Sequence, residues 1–350
     1  MNINLQIPVN PLGYGVAGIH IAEELINAGA DIRIQSIGQP DVSLVSKNFI
    51  QALEKNVTHH EPSWPLVKIW HQHSLIERIG KGKYYGFPIF ELDTFTQREK
   101  YNLKVPDELI VCSNWAKDIV ENQIQAKCHV VPLGVDRSVF RPIERPKDDK
   151  YKFFTIGKLE YRKGHDFIVK CFNKAFDPKD NVELDMMVHN PFLSRDIMQE
   201  WYSNFKNSKL GTKINIRHPV ETHKEVADFI NDHDCGLFPS RAEGWNLELL
   251  ESMSCGKPVI ATDYSAHKEY IHNTNCYKIH IYDKEKAYDK MGGMWFNGQG
   301  SWAELDYEQE DQMVEHMRYC YNNIYHNEEG EKTAKKFTWT NSVQKLLETL

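Results

Sequence analysis

The sequence predicts an α/β protein built from two doubly wound, Rossmann-like domains. Its 350 residues suit two domains better than one. An alternation of strand and helix patterns begins near residue 3 and begins again near residue 151. Between the two series lies a polar segment, residues 141–150, which contains two prolines, shows no periodicity and is typical of an interdomain linker.

Composition narrows the class of protein. Hydrophobic residues make up 41% and charged residues 26%, as in a globular protein, and no apolar run is long enough to span a membrane. The N-terminus lacks the basic and apolar regions of a secretory signal. Seven scattered cysteines without a CxxC pair argue against a zinc site or a disulfide framework. We therefore expect a cytoplasmic protein, with peripheral contact at the inner membrane face left open.

The net charge of −7 argues against a globally basic nucleic-acid binder. A local basic patch remains a candidate, made of Arg78, Lys81, Lys83, Arg98, Lys100 and Lys104. It lies near Tyr84, Tyr85 and Phe87. Of nucleic-acid contact and a solvated basic face, we favour the second.

The first strand, helix and strand follow in order from the N-terminus. Ile3, Leu5 and Ile7 alternate like a strand, residues 11–18 form a glycine-rich loop, and residues 19–28 have helical spacing that ends before Gly29. A second strand over residues 31–34 completes a βαβ unit.

Further elements continue both series. In the first half we predict strands over residues 66–70, 108–112 and 129–132, with Ser113 as the cap of a helix over 115–123. In the second half we predict strands over residues 151–156, 182–188, 214–216, 235–238 and 258–260, and a helix over 165–175.

The glycine-rich loop is the first of three loops that could carry chemistry. Gly13, Gly15 and Gly18 would let the backbone approach a ligand at a helix N-terminus. A tight strand-to-helix turn explains them equally well. The acidic residue that closes the second strand of a dinucleotide-binding fold is missing.

The second loop, residues 157–164, follows a strand and precedes a helix. It holds Lys158 and Lys163, whose ammonium groups would suit a diphosphate gripped from two sides. Solvated loop lysines are the alternative.

The third loop and the helix after it combine amides and carboxylates. Residues 246–254 have helical spacing, so the backbone amides of Gly244, Trp245, Asn246 and Leu247 would meet an anion at a helix N-terminus. Glu243 and Glu251 suit hydrogen bonds to sugar hydroxyls. Glu248 is interpreted as a surface residue.

Five stretches together resemble glycosyltransferase family 4. Along the chain they are VPDELIVCSNWAKDIV, HVVPLGVDRSVFRP, GKLEYRKGHDFI, EGWNLELLESMSCGKPVIAT with its Glu243–Glu251 pair, and KFTWTNSVQKLLETL. They follow one another in the same order as in the family. The resemblance implies the GT-B fold, two Rossmann-like domains facing across a cleft that holds the donor. It implies an acceptor-binding domain over residues 1–145, a nucleotide-sugar-binding domain over 146–325, and a C-terminal helix over 326–350 that returns to the first domain.

The resemblance also implies roles for the candidate residues. Lys158 and Lys163 would hold the diphosphate, although Lys158 stands where the family usually has arginine. Glu243 would contact the transferred sugar and Glu251 the ribose, with amides donated by residues 244–247. Gly15 would approach the diphosphate from the first domain. His73, in preference to His71, would lie beside the anomeric carbon.

The implied reaction is transfer of a sugar from a nucleoside-diphosphate sugar to a glycan or lipid hydroxyl, with retention of configuration. We expect no cofactor and no metal, because a clamp of lysines and helix amides could replace a divalent ion at the diphosphate. Two other functions stay open, a catalytically silent nucleotide-sugar-binding protein and a nicotinamide-dependent oxidoreductase. Donor hydrolysis would exclude the first, and nicotinamide binding would reveal the second.

Overall fold

The computed structural model describes residues 1–146, 149–293 and 295–350. Lys147 and Asp148 of the predicted linker lie outside the described residues. The chain divides into two compact units. The N-terminal unit comprises Met1–Gly134 and Phe337–Leu350, and the C-terminal unit comprises Val135–Lys336.

The N-terminal unit is a parallel sheet with helices. Its strands are Asn2–Ile7 (β1), Asp31–Ser36 (β2), Leu66–Ile69 (β3), Tyr84–Phe87 (β4), Glu108–Val111 (β5) and Cys128–Val130 (β6). Its first helices are Gly13–Asn27 (α1), Lys47–Thr58 (α2), Gln97–Leu103 (α3) and Asn114–Ile124 (α4). The strand order is β2-β1-β3-β4-β5-β6, with parallel pairing throughout.

The C-terminal unit repeats this design. Its sheet strands are Tyr151–Lys158 (β7), Val182–His189 (β8), Ile214–Arg217 (β9), Cys235–Phe238 (β10), Val259–Thr262 (β11) and Tyr277–Ile279 (β12). They pair in parallel in the order β12-β11-β10-β7-β8-β9. The helices are His165–Ala175 (α5), Arg195–Lys206 (α6), His223–Asn231 (α7), Leu247–Ser254 (α8), Tyr307–Asn322 (α9) and Glu328–Lys336 (α10).

The central strands are apolar because both of their faces are covered. Phe153 and Phe154 of β7, Leu237 of β10 and Ile260 of β11 are each 0% exposed. These buried strands fix the positions of the loops that leave their carboxyl ends.

An antiparallel hairpin, which the sequence analysis did not predict, follows β12. It pairs Lys284–Tyr288 (β13) with Asn297–Ala303 (β14). Trp302 is fully buried and the Ala303 amide donates to the Arg241 carbonyl at 2.9 Å, so the hairpin is packed onto its unit.

The glycine-rich segment is shorter as a loop than predicted. Helix α1 begins at Gly13, so Gly13, Gly15 and Gly18 all lie within it. A Cβ on Gly15 would meet the Asn10 carbonyl oxygen at 2.1 Å, and one on Gly18 would meet Ile7 at 3.0 Å. Two of these glycines therefore allow the helix to pack closely against the end of β1, as the tight-turn alternative requires.

The aromatic residues of the predicted basic patch are not on the surface. Tyr84, Tyr85 and Phe87 form the buried strand β4 and are each 0% exposed. The prediction missed this strand because lysines flank it closely. These three rings are therefore not available to stack on nucleic-acid bases.

The predicted boundary at residue 145 was too late. The first unit ends at Gly134, and the described part of the predicted linker packs on the C-terminal unit. Asn231 donates to the Arg141 carbonyl and accepts from the Ile143 amide, while Arg145 pairs with Asp228 at 2.7 Å. The polar composition of this segment therefore reflects its place on the surface of the C-terminal unit, and it was interpreted as an interdomain linker for that reason.

The C-terminal segment divides differently from its prediction. Helix α10 belongs to the C-terminal unit, and the chain enters the N-terminal unit at Phe337, whose last helix is Trp339–Thr349 (α11). A Cβ on Gly134 would meet the Trp339 nitrogen at 2.2 Å, so the glycine allows the start of α11 to approach closely.

Candidate functional site

The carboxyl edge of the second sheet has a switch point between β7 and β10. The chain leaves β7 toward β8 on one side and β10 toward β11 on the other. Ligands of open α/β sheets bind at such points. Two loops meet here, residues 159–164 after β7 and residues 239–246 after β10, and the Arg241 amide donates to the Arg162 carbonyl at 2.7 Å.

These loops and their flanks carry six side chains of alternating charge, which we call the charge chain. In spatial order they are Lys158, Glu160, Arg162, Glu243, Lys163 and Glu248. Every neighbouring pair lies within 3.6 Å. The predicted lysines are therefore already paired with carboxylates of the same loops.

Glu243 lies in the middle of the charge chain and is 4% exposed. Its two oxygens lie 2.8 Å from Arg162 Nη1 and 2.9 Å from Lys163 Nζ, and the Ser240 hydroxyl donates to it at 2.8 Å. Burial alone would raise the pKa of Glu243, but the charges of Arg162 and Lys163 outweigh it and hold the pKa well below its usual range. The carboxylate is thus ionised.

Lys163 is the buried cation of the loop after β7. Burial lowers its pKa, but Glu243 and then Glu248 more than compensate, so the pKa lies above its usual value. Gly157 has a φ of +140°, and a Cβ there would lie 3.4 Å from Lys163 Nζ. The glycine therefore leaves room for the lysine side chain beside β7.

Lys158 lies at the other end of the charge chain. Its ammonium is 2.6 Å from Glu160, and its side chain is 35% exposed. Glu160 also accepts from Arg162 at 3.0 Å. Lys158 is therefore the more accessible of the two predicted lysines.

The first turn of α8 is held by Asn246. This residue has a φ of +79°, and its side-chain oxygen accepts from the Leu249 amide at 3.2 Å. Its amide nitrogen lies 2.9 Å from His267 Nε2, while His267 Nδ1 donates to the Thr262 carbonyl at 2.9 Å. His267 is therefore neutral, in agreement with burial, which lowers its pKa.

The amide-bearing segment before α8 lies beneath the surface. Gly244, Trp245 and Asn246 are buried, whereas Leu247 is partly exposed at the start of the helix. The Tyr270 hydroxyl lies 2.8 Å from the Trp245 carbonyl and 3.0 Å from the Asn246 carbonyl. The Tyr270 hydroxyl therefore holds the backbone of this segment in place.

The two other glutamates of this region differ from each other. Glu248 was interpreted as a surface residue, but its side chain is only 26% exposed and lies 3.6 Å from Lys163. Glu251 lies one turn further along α8 and is partly buried. Burial, followed by the Glu248 charge, raises the pKa of Glu251 to about 8, so its carboxyl group is mostly protonated at neutral pH.

Sequence reasoning missed several residues that hold these loops. Arg162 and Glu160 are 5% exposed each. Arg241 makes a two-pronged ion pair with Asp166, with both distances 3.0 Å. His165 is 1% exposed, and burial lowers its pKa to about 3. These charged residues lie next to the predicted motif positions in the sequence, but the sequence does not show that they are buried.

The N-terminal unit has an equivalent switch point between β1 and β3. Gly15 lies in the first turn of the helix after β1, and His71 and His73 follow β3. The His71 and His73 rings stack with centroids 5.1 Å apart, and Tyr14 lies 4.6 Å from His71. The structure thus brings the predicted residues of this unit to one sheet edge.

Two negative findings concern the described residues alone. Within residues 1–146, 149–293 and 295–350, no helix is long and apolar enough to cross a membrane. Over the same ranges, no group of three or more His, Cys, Asp or Glu side chains is placed to hold a metal ion.

Comparison with known families gives the class of the C-terminal unit. Residues 150–295 match the family described as glycosyl transferases group 1. A D-inositol 3-phosphate glycosyltransferase of Paenarthrobacter aurescens is 27% identical over 38% of this chain and 34% of its own length. A probable sucrose-phosphate synthase of Thermosipho melanesiensis is 26% identical over 55% of this chain and 42% of its own length. The chain thus spans well under two thirds of these relatives.

Solved structures resemble the chain over its full length. A glycosyltransferase of Rickettsia africae matches with a TM-score of 0.73 and 15% identity over 99% of this chain and 97% of its own. HepE of Anabaena, solved with UDP-glucose, matches with a TM-score of 0.70 and 14% identity over 100% of this chain and 99% of its own. At such identity these matches carry the fold alone, and they confirm the GT-B class.

The comparisons show a glycosyltransferase fold, and the structure places the ion-paired carboxylate of Glu243 at the edge of its second sheet. The family match covers residues 150–295 and is to the glycosyl transferases group 1 family. This confirms the resemblance found in the sequence at the level of that group.

Proposed function

We propose that the protein transfers a sugar from a nucleoside-diphosphate sugar to a hydroxyl acceptor, with retention of configuration. The observation that carries the proposal is the charge chain at the β7–β10 switch point, which contains the two predicted lysines and an ionised glutamate between cations. The glycosyltransferase relatives and the UDP-glucose complex of HepE support the same class of donor.

The diphosphate is assigned to cations and amides of the C-terminal unit. As the bond between sugar and phosphate breaks, negative charge accumulates on the leaving diphosphate. Lys163, Lys158 and the first amides of α8 would stabilise that charge, because donors fixed in advance need little reorganisation during the reaction. In this proposal these groups perform the task for which other transferases use a divalent metal.

Glu243 is assigned to the transferred sugar. An ionised carboxylate only accepts hydrogen bonds, and its oxygens have about four lone-pair sites in total. Arg162, Lys163 and Ser240 occupy part of this capacity. The remainder is suited to sugar hydroxyls, and these bonds would strengthen as positive charge develops on the ring.

The other candidates receive supporting roles. Glu251, protonated at neutral pH, can both donate to and accept from a ribose hydroxyl. Gly15 is assigned to a close backbone approach to the diphosphate, and His73 to the anomeric centre.

The acceptor that we propose is a glycan or lipid hydroxyl. The compartment that we propose is the cytoplasm, with peripheral contact at the inner membrane face. All seven cysteines are free and buried, as suits a reducing compartment.

The decisive experiment is a ligand panel of UDP, GDP, ADP, their sugar conjugates and NADH. A ligand at about 100 times its dissociation constant adds roughly 2.7 kcal/mol of stability, which thermal unfolding detects. We expect stabilisation by one nucleoside diphosphate and slow hydrolysis of its sugar conjugate without acceptor. Stabilisation by NADH alone would contradict the proposal, and binding without any hydrolysis or transfer would favour a silent binding protein.

A further inference from the structure

We propose that Arg162 is a positioning residue that keeps Glu243 charged and in place while the donor diphosphate occupies Lys163. This inference rests on the donor site proposed above. It assigns a role to a residue that no family motif singled out in the sequence.

Arg162 has a fixed position between the two loops. Its guanidinium lies 2.8 Å from Glu243 Oε2, and it donates to the Ala242 carbonyl at 2.7 Å. From Nη2 and Nε it also donates to Glu160 Oε2, at 3.0 and 3.2 Å. A planar guanidinium held at three points and 5% exposed cannot turn to a new partner without losing these bonds.

Each of the two buried carboxylates is paired with Arg162 and with one lysine. Glu243 forms ion pairs with Arg162 and Lys163, and Glu160 forms ion pairs with Arg162 and Lys158. A lysine ammonium on a flexible stem can leave one anion for another. When the diphosphate recruits both lysines, Arg162 is the cation that remains in contact with both carboxylates.

Several titratable groups face Glu243. They are Arg162 and Lys163 from the loop after β7, His165 at the start of α5, Glu248 on α8, and His267 and Tyr270 after β11. Burial lowers the pKa of His165 to about 3 and lowers that of His267, so neither imidazole is charged at neutral pH. Arg162 and Lys163 are thus the cations that face Glu243 among these groups.

The consequence is a link between donor binding and the proton of Glu243. A buried carboxylate without a cation takes up a proton, because its charged form is poorly solvated. A protonated Glu243 would lose acceptor capacity toward the sugar. With Arg162 in place, the carboxylate stays ionised when Lys163 moves to the diphosphate.

The test measures proton uptake on binding of UDP, or of the diphosphate that binds best in the panel above. Calorimetry in buffers of different ionisation enthalpy gives the protons taken up per ligand bound. We expect Arg162→Met to take up more protons than the wild type at pH 7, approaching about one extra proton per ligand. Its UDP affinity should accordingly fall faster than that of the wild type as pH rises, by up to about tenfold per pH unit.

The matched control is Arg241→Met. Arg241 is also buried, joins the same two loops and pairs with Asp166. A loss of loop packing alone would affect both variants alike. We expect Arg241→Met to take up as many protons as the wild type.

A conservative variant covers the case in which Arg162→Met does not fold. Arg162→Lys keeps a cation, but a lysine ammonium reaches one carboxylate better than two, so an intermediate proton uptake and a lower kcat at pH 6 than at pH 8 are expected. UDP binding with wild-type proton uptake in Arg162→Met, or in Arg162→Lys where Arg162→Met is unfolded, would overturn the role of Arg162. If no nucleoside diphosphate binds the wild type, the donor site itself is wrong.

Discussion

The two units share one sheet design, but the carboxyl edges of their sheets differ in chemistry. In the N-terminal unit, the switch point between β1 and β3 presents stacked rings, with His71 and His73 beside Tyr14. In the C-terminal unit, the switch point between β7 and β10 presents the charge chain. The fold supplies the edge, and the loop residues decide what it can bind.

The two edges also differ in the free-energy cost of burying their side chains. Buried charges must be paired, because desolvation of an isolated ion is expensive. The C-terminal unit meets this requirement by alternating the sign of its charges from Lys158 to Glu248. Cations held in this way at the C-terminal edge are suited to the charged part of the proposed donor.

The largest effect is expected from Glu243→Gln. Loss of a contact that strengthens in the transition state should lower kcat by about 100-fold or more. Affinity for the nucleoside diphosphate should stay the same or increase, because Glu243 no longer competes with the phosphate for Lys163. Turnover and calorimetric binding of the diphosphate measure the two quantities.

Folding must be controlled in this variant, since removing one partner of a buried ion pair destabilises a protein. Glu310→Gln is the matched control, because Glu310 is 7% exposed and pairs with Lys170 and Lys174. Full turnover in Glu243→Gln would remove that residue from the sugar site.

A smaller effect is expected at the N-terminal edge. His73→Ala should lower kcat by about tenfold, roughly 1.4 kcal/mol, and leave diphosphate affinity unchanged. His71→Ala, which removes the ring stacked on His73, is the control and should lose less. A greater loss in His71→Ala would exchange the roles of the two histidines, and weaker diphosphate binding in His73→Ala would contradict its assignment to the anomeric centre.

The third effect concerns pH and is a few-fold at most. The pKa of Glu251 is raised to about 8, so its carboxyl group is neutral below that pH and negative above it. Diphosphate affinity of the wild type should therefore fall as pH rises past 8, because an ionised Glu251 repels the ligand. Glu251→Gln should not show this fall, and a parallel decline in both proteins would assign it to another group.

No effect is expected from chelation. If the lysines and helix amides supply the charge that stabilises the diphosphate, activity should persist in excess EDTA. Loss of activity that manganese or magnesium restores would show that the C-terminal edge does not suffice.

The sequence predicted the regular part of this molecule well and the paired charges poorly. Helix α5 and strand β10 begin and end where they were predicted, because the apolar periodicity and the flanking glycine are local signals. Burial of β4 and of Arg162 is set by packing between distant segments, which no local pattern records.

Contacts between the predicted site residues could not be predicted from local patterns either. Lys163 and Glu243 were singled out separately for phosphate and sugar, and their contact at 2.9 Å joins loops 80 residues apart in the chain. Glu248 was interpreted as a surface residue. Its neighbour Lys163 comes from the other loop, so their contact could not be inferred from the helix alone.

One measurement tests the central claim most directly, the binding of a nucleoside diphosphate and of its free nucleoside to Lys163→Ala. Loss of a charge-assisted bond of about 1.5–3 kcal/mol should weaken the diphosphate by roughly 10- to 150-fold and leave the nucleoside unchanged. Lys174→Ala, which removes a surface lysine paired with Glu310 and Asp311, should change neither affinity. An equal loss for diphosphate and nucleoside in Lys163→Ala would contradict the account.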